Sequence, residues 1–296
     1  MNLTSDSKVL IQGITQTLGS YHAARMKAYG TNVVAGVSPG LGGSEVHGIP
    51  VFDLVEQAWQ QVGSIDVTII FVESYQALDA ALEAIDAGIR QVILVTGEIP
   101  PLDIVRLLRK AKITDTLIIG PSSSGIVIPD QALLGTQETE FYTPGPVAII
   151  SRAGNLTYEV ALSLTKAKLG QSIVVNLGCE PIVSSSFEQW LPLLAQHKST
   201  EAIVLVDQTG GSGAEATAEL VADVIDKPVV TYVVGSYTPV DKQLNDAGAV
   251  IAAQLSGPIT KINTAQHKVE AYRQAKVLVA EIPSQIPGLV KKVLKK

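Results

Sequence analysis

The chain has 296 residues, 46% hydrophobic and 17% charged, with a formal net charge of −6. This composition belongs to a globular chain of one large or two ordinary domains. The acidic balance, with no broad basic face, argues against nucleic acid as a partner. A single cysteine, Cys179, excludes an intrachain disulfide framework and suits a reducing compartment. The N-terminus MNLTSDSK carries no signal or transit pattern, and no apolar run approaches the roughly 20 residues of a membrane span. No membrane contact and a cytoplasmic location are therefore expected.

Short apolar runs alternate with helical segments along the chain. Lys8 to Gln12 reads as a strand, Gly13 to Gly19 as a loop, and Ser20 to Tyr29 as a helix closed by Gly30. Strands follow at 33–37, 67–72, 92–96 and 117–119, with helices near 76–88 and 102–112. The segment 131–146 lacks steady periodicity and follows the Ser/Gly-rich run Pro121 to Gly125, so a domain break is placed there, giving domains 1–130 and 131–296. The second half repeats the alternation, with strands at 147–150, 173–176, 202–206, 229–234, 249–253 and 277–280. Its helices begin near Asn155, Ser186, Gly213 and Pro258, and Lys291, Lys292, Lys295 and Lys296 suit the negative end of a last helix. Strand–helix–strand units with short connections make parallel sheets, so the class is α/β. Ligands in such folds sit beyond the carboxyl ends of strands.

One stretch stands out, PVAIISRAGNLTYEVALSLTKAKLG from Pro146 to Gly170. A covered strand runs into the polar turn Ser151–Asn155, and Leu156, Val160 and Leu164 share one helical face. Asn155 reads as the N-cap and Gly170 as the residue past the C-terminus. Backbone amides and a helix dipole then converge on one spot, either an anion site or an ordinary strand-to-helix turn.

Other loops after strands carry the remaining candidates. Gly13 to Gly19 lacks the middle glycine of the dinucleotide fingerprint, yet its amides and the hydroxyls of Thr15 and Thr17 suit a phosphate as well as a plain turn. Ser38-Pro39-Gly40-Leu41-Gly42-Gly43 holds three glycines and no cation, so a phosphate there would rest on amides alone. In Thr96-Gly97-Glu98-Ile99-Pro100-Pro101, Glu98 reads as a cap for the next helix. Asp207 to Gly213 is another candidate cradle, and Asp246 before Ala-Gly suits an Asx turn. His22, His47, His197 and His267 have no metal-ligand spacing, no Walker A or Gly-x-Ser-x-Gly motif occurs, and Cys179 reads as a packing residue. No metal site is expected.

Taken together, these loops resemble the α subunit of succinyl-CoA synthetase, in the NDP-forming acyl-CoA ligase family. The resemblance covers nearly the whole chain. It rests on Gln12-Gly13-Ile14-Thr15, Ser38-Pro39-Gly40 with Gly42-Gly43, Ile49-Pro50-Val51-Phe52, Glu83 to Ile89, Ser151-Arg152 with Gly154 and Leu156 to Glu159, Gly210-Gly211-Ser212, Lys227 to Val230, and Ala247-Gly248-Ala249. It implies an N-terminal Rossmann-like CoA-binding domain and a C-terminal flavodoxin-like domain, both with parallel sheets. CoA contacts would come from Gly13, Thr15, Gln16, Thr17, Leu18, Ser38, Pro39, Val95, Thr96 and Gly97. A phosphoryl group would be held by Ser151, Ala153, Gly154, Asn155, Tyr158, Gly210 and Gly211. The resemblance also implies a β-type ATP-grasp partner, or else a homo-oligomer, with ATP or GTP bound only through the partner.

Several positions depart from the family pattern. In the family, a histidine before Ala-Gly-Ala is phosphorylated and a glutamate before Gly-Gly-Ser orients it. Here those places hold Asp246 and Gln208. Leu41 stands at the lysine of the Pro-Gly-Lys-Gly-Gly loop, Gln16 at the second glycine of the first loop, Ala153 at a serine, and Ser122-Ser123-Ser124 at Asn-Cys-Pro. The expectation is an α-type homologue that binds CoA or a phosphate-bearing ligand and a β-type partner, without phosphohistidine turnover. The alternative is an active ligase subunit that uses Asp246 or a partner residue instead. A nicotinamide oxidoreductase is disfavoured by the missing fingerprint.

Overall fold

The computed structural model describes residues 3–180, 182–209, 213–235 and 265–295. The chain divides into two compact units, Met1–Gln137 with Val183–Ser185, and Glu138–Ile182 with Ser186–Lys296.

In the first unit the strands are β1 (Val9–Gln12), β2 (Val33–Val37), β3 (Glu45–Val46), β4 (Ile49–Phe52), β5 (Val67–Ile70), β6 (Gln91–Leu94) and β7 (Leu117–Ile119). They form one sheet in the order β3-β4-β2-β1-β5-β6-β7, parallel apart from the short β3–β4 hairpin. The helices are α1 (Thr17–Tyr29), α2 (Val55–Val62), α3 (Ala77–Asp86) and α4 (Pro101–Thr114). β1 is wholly buried, as expected of a central parallel strand covered on both faces. On one face Leu10, Ala35, Val37, Val55, Ala58, Ile65, Ala84 and Ile89 form a continuous core. Because β1 pairs with β2 on one side and β5 on the other, the strand order reverses at β1, and the loops after these strands open at the same edge. Gln12 closes β1 inside the protein, its amide donating to the Ala80 carbonyl at 2.8 Å and accepting from the Thr68 hydroxyl at 2.9 Å.

α1 begins at Thr17, three residues ahead of the expected start, because the tight turn ends at Gln16. Sequence periodicity also missed α2 and two hairpins. One is β3–β4. The other pairs β8 (Gly125–Ile128) with β9 (Ala132–Gly135), of which only β9 lies inside the stretch read as aperiodic. Both of these strands are fully buried and so show no alternation.

The second unit holds the parallel strands β10 (Pro144–Ser151), β11 (Gln171–Asn176), β12 (Ala202–Asp207), β13 (Val229–Val233) and β14 (Leu278–Ala280), in the order β14-β13-β12-β10-β11. Its described helices are α5 (Leu156–Lys166), α6 (Phe187–Gln196), α7 (Ala214–Asp223), α8 (Ala265–Gln274) and α9 (Ile286–Leu294). α6 opens on a capping box in which Ser186 and Gln189 satisfy each other's backbone amides. α9 places Lys291 and Lys292 in its last turn, where the helix dipole favours cations. The strand expected at 249–253 and the helix start near Pro258 lie outside the described residues. No described helix is long and apolar enough to cross a membrane.

Candidate functional site

At the carboxyl edge of the first sheet, three of the predicted loops meet. Gly13 turns the chain after β1 with φ +79°, a left-handed conformation, and a Cβ there would stand 3.0 Å from the Val72 amide. Its own amide donates to the Val37 carbonyl at 2.9 Å. A Cβ on Gly19 would stand 2.1 Å from the Gly13 carbonyl oxygen, so only glycine lets α1 fold back on this turn. The Thr15 hydroxyl donates to the buried Ser38 hydroxyl at 2.8 Å, which ties the loop after β1 to the loop after β2. Thr96 closes the other side, its hydroxyl donating to the Val72 carbonyl at 2.6 Å, while Ser74 donates to the Gly97 carbonyl at 2.8 Å. Gln16 occupies the N-cap position of α1 in extended conformation, and no side chain caps the helix. Thr17 and Leu18 are exposed at that helix start, Pro39 is exposed, and Val95 is half-buried. The ten residues Gly13, Thr15 to Leu18, Ser38, Pro39 and Val95 to Gly97 thus lie on or beside loops that meet near one helix N-terminus, a geometry suited to a phosphorylated ligand.

The glycine-rich loop after β2 behaves differently from expectation. The Asp53 carboxylate accepts from the amides of Gly40 at 2.7 Å and Gly42 at 2.9 Å, and a Cβ on Gly42 would stand 2.5 Å from Asp53 Oδ2. The Leu41 amide goes to Ser38 and that of Gly43 to Val51. These amides are committed within the protein, so the loop is held shut by a carboxylate and offers no cradle for phosphate. Nor does Glu98 cap α4. It sits exposed with φ +56°, and Pro100 occupies the N-cap position without a side-chain hydrogen bond.

In the second unit the Ser151–Asn155 turn links β10 to α5. Ser151 is fully buried, and its hydroxyl accepts from the Ala153 amide at 3.0 Å and the Thr157 hydroxyl at 2.7 Å. Gly154 has φ +48° and open space where a Cβ would point. Asn155 holds the N-cap position that the sequence suggests, but its backbone is helical and its side chain makes no cap bond. The amides of Leu156, Thr157 and Tyr158 go instead to the carbonyls of Ala153, Gly154 and Asn155. Gly170 lies beyond the C-cap residue Ala167, where a Cβ would clash with the Pro144 carbonyl at 2.3 Å. Tyr158 packs its ring against Phe141, with centroids 5.2 Å apart.

Behind this turn lies a buried charge cluster that sequence reading missed. Lys268 of α8 donates to both carboxylate oxygens of Asp207 at 3.0 Å, and each residue is 2% exposed by side chain. Burial pushes the Lys268 ammonium below its ordinary range, and Asp207 opposes this only in part. Arg152 is also buried. It donates from Nη2 to the Glu180 carbonyl at 3.0 Å, while Nε has no hydrogen-bond partner among the described residues. Burial lowers its proton affinity, opposed by Asp207. Tyr272 is pushed well up, first by burial and then by Asp207. The only signal in the sequence was a lysine on an otherwise mixed helix face, which does not reveal its partner.

Gln208 follows Asp207, and its side-chain amide donates to the Cys179 carbonyl at 3.1 Å. Cys179 itself is exposed, contrary to the packing role expected for it, because it lies in the loop beyond β11. His267 stands 3.4 Å from Glu215 at the starts of α8 and α7. Asp246, Gly210 and Gly211 lie outside the described residues.

Two α/β units with loops at the carboxyl edges of their parallel strands define the class of fold, and comparison with known proteins supplies the family. The CoA binding domain family matches residues 4–97, and the CoA-ligase family matches residues 150–278. The chain is 39% identical to succinate–CoA ligase [ADP-forming] subunit alpha 2 of Archaeoglobus fulgidus, covering 97% of each chain. It is 39% identical to the alpha subunit of Aquifex aeolicus, over 99% of this chain and 94% of that one. It therefore belongs to the succinate–CoA ligase α-subunit family.

Among solved structures, ATP citrate lyase from Methanothrix soehngenii, in complex with citrate and coenzyme A, shares the fold. The TM-score is 0.83 at 20% identity, over all of this chain and 50% of that one. A dinucleotide-forming acetyl-coenzyme A synthetase from Ca. Korarchaeum cryptofilum gives 0.72 at 19% identity, over 94% and 58%. The present chain thus spans about half the length of those two solved chains.

Proposed function

We propose that this chain is a CoA-binding α-type subunit that joins a β-type ATP-grasp partner and does not turn over through a phosphohistidine. The support for CoA is the first-unit loop set. The α1 N-terminus lacks a side-chain cap, Thr15 and Ser38 bridge two loops, and Gly13 and Gly19 permit the tight turn. Those residues fit a pyrophosphate at the helix start, and CoA would bring the thiol that accepts an acyl group.

The reading on turnover rests on Gln208. In the family a carboxylate at this place orients the imidazole. Here an amide stands there, its NH₂ donates to the Cys179 carbonyl, and Asp246 occupies the histidine's place. A carboxylate at 246 lacks the imidazole that carries phosphate in the family, and an aspartyl phosphate hydrolyses readily.

The test is to mix the full chain with a β-type subunit, CoA and γ-labelled ATP or GTP, and to follow label on this chain and acyl-CoA formation together. The expected result is a stable complex with CoA bound and no phosphorylated α chain. Acid-labile, base-stable label lost in His267→Ala would show that the imidazole beside Glu215 has taken over the relay. Base-labile label lost in Asp246→Asn would show an aspartyl route. The first outcome sinks the proposal on turnover, the second replaces it with the active subunit that uses Asp246, and both leave CoA binding intact.

A further inference from the structure

We propose that Ser20, His47 and Lys27 form a recognition site for a phosphate monoester, and that this site takes the 3′-phosphate of CoA. The inference rests on the CoA reading above and names a part of the ligand that the loop set leaves unaccounted for.

The β3–β4 hairpin turns at His47-Gly48, with both residues in the left-handed region at φ +52° and +75°. This turn lies along one face of α1. Ser20 Oγ meets His47 Nε2 at 3.0 Å, and Lys27 Nζ donates to the His47 carbonyl at 2.6 Å. Ser20 and Lys27 are seven residues apart, so they share a face two turns, or about 10 Å, apart. His47 and Lys27 are exposed and Ser20 is half-buried, so the three polar groups are offered to solvent. On the adjoining stripe Tyr21 is 59% exposed, and the Arg25 guanidinium carbon lies 5.8 Å from its ring centroid. An aromatic face beside cationic groups suits a nucleotide base next to its phosphate. Glu45 reaches toward Gly48 from β3, so the site is not uniformly positive.

The site's position singles out a terminal phosphate. Ser20 follows directly on the uncapped first turn of α1, where a pyrophosphate would sit, and Lys27 lies two turns outward. The glycine-rich loop between α1 and this hairpin has spent its amides on Asp53, Ser38 and Val51 and contains no cation. A second phosphate must therefore find its donors on the α1 face.

The experiment is calorimetric titration of the full chain with CoA and with 3′-dephospho-CoA. The native chain should prefer CoA by about tenfold. His47→Asn keeps a residue that tolerates left-handed backbone, and it should lower CoA affinity while leaving 3′-dephospho-CoA unchanged. Lys27→Gln should reduce the preference in the same way. Equal affinity of the native chain for the two ligands would overturn the inference, as would variants that weaken both ligands alike. If neither ligand binds, the CoA reading falls and this inference with it.

Discussion

At the residue scale two glycines with similar surroundings in sequence do different work. A methyl on Gly19 would collide with a backbone oxygen at 2.1 Å, and that oxygen belongs to the turn that shapes the ligand loop. Gly19→Ala should cost about 1–3 kcal/mol, read as a lower urea midpoint, and should weaken CoA binding. Gly154 also sits in a turn before a helix, but its Cβ direction is open and only φ +48° disfavours a side chain. Gly154→Ala should cost about 1 kcal/mol and leave CoA affinity unchanged. The buried pair gives a sharper case. Lys268→Met leaves the Asp207 carboxylate buried without its cation, a loss of about 3–5 kcal/mol. Adding Asp207→Asn should recover most of it, because the amide oxygen can still accept from Gln208 and no charge remains. If the double variant is no more stable than the single, the pair is not the source of the loss. None of this was legible in the sequence, since a Cβ clash and a contact between residues 207 and 268 both depend on tertiary distance.

At the scale of elements, α6 ends at His197, whose Nδ1 meets the Thr200 hydroxyl at 2.9 Å and whose carbonyl accepts from Lys227 at 2.7 Å. A cation at a helix C-terminus is ordinarily favoured, which would raise the histidine's pKa. Here it is lowered, first by burial and then by the Lys227 charge already at that end. The folded state therefore binds fewer protons than the unfolded chain just below pH 6.5. This contribution is full above the unfolded value of 6.5 and is lost as pH falls through it toward the folded value. His197→Gln should flatten the fall in urea midpoint between pH 7.5 and pH 5, and Lys227→Gln should flatten it in part. An unchanged slope in His197→Gln would remove the histidine from the account.

The same scale shows what sequence patterning can reach. β1, β2, β5, β6, β10 and β12 were legible because each is an apolar run bounded by turn residues. The β8–β9 hairpin was not, because both strands are buried and short and the segment around them carries the prolines and serines of a loop. β3 has two residues, too few for any period. The N-cap position of Asn155 was legible, but not that its side chain makes no cap bond, because the first amides of α5 find backbone carbonyls at 153–155.

For the whole molecule, the sequence singled out candidate ligand loops but not which of their amides remain available, and that distinction predicts where a ligand leaves its footprint. Hydrogen exchange measured along the full chain separates the two. In the free protein Gly40 and Gly42 should exchange slowly for a loop, because Asp53 holds both amides, and Asp53→Ala should release them. Saturating CoA, at about 100 times its dissociation constant, stabilises whatever it binds by about 2.7 kcal/mol. That protection should appear at Gln16 to Ser20 and around Thr96, where the loops meet the α1 N-terminus, with little further change at Gly40 to Gly43. Inorganic phosphate alone should instead slow the amides of Gly154 and Asn155, where the turn has open space before α5. If CoA slowed the Gly40–Gly43 amides most, or left the α1 start untouched, the pyrophosphate would lie elsewhere than at the point where the order of the first sheet reverses.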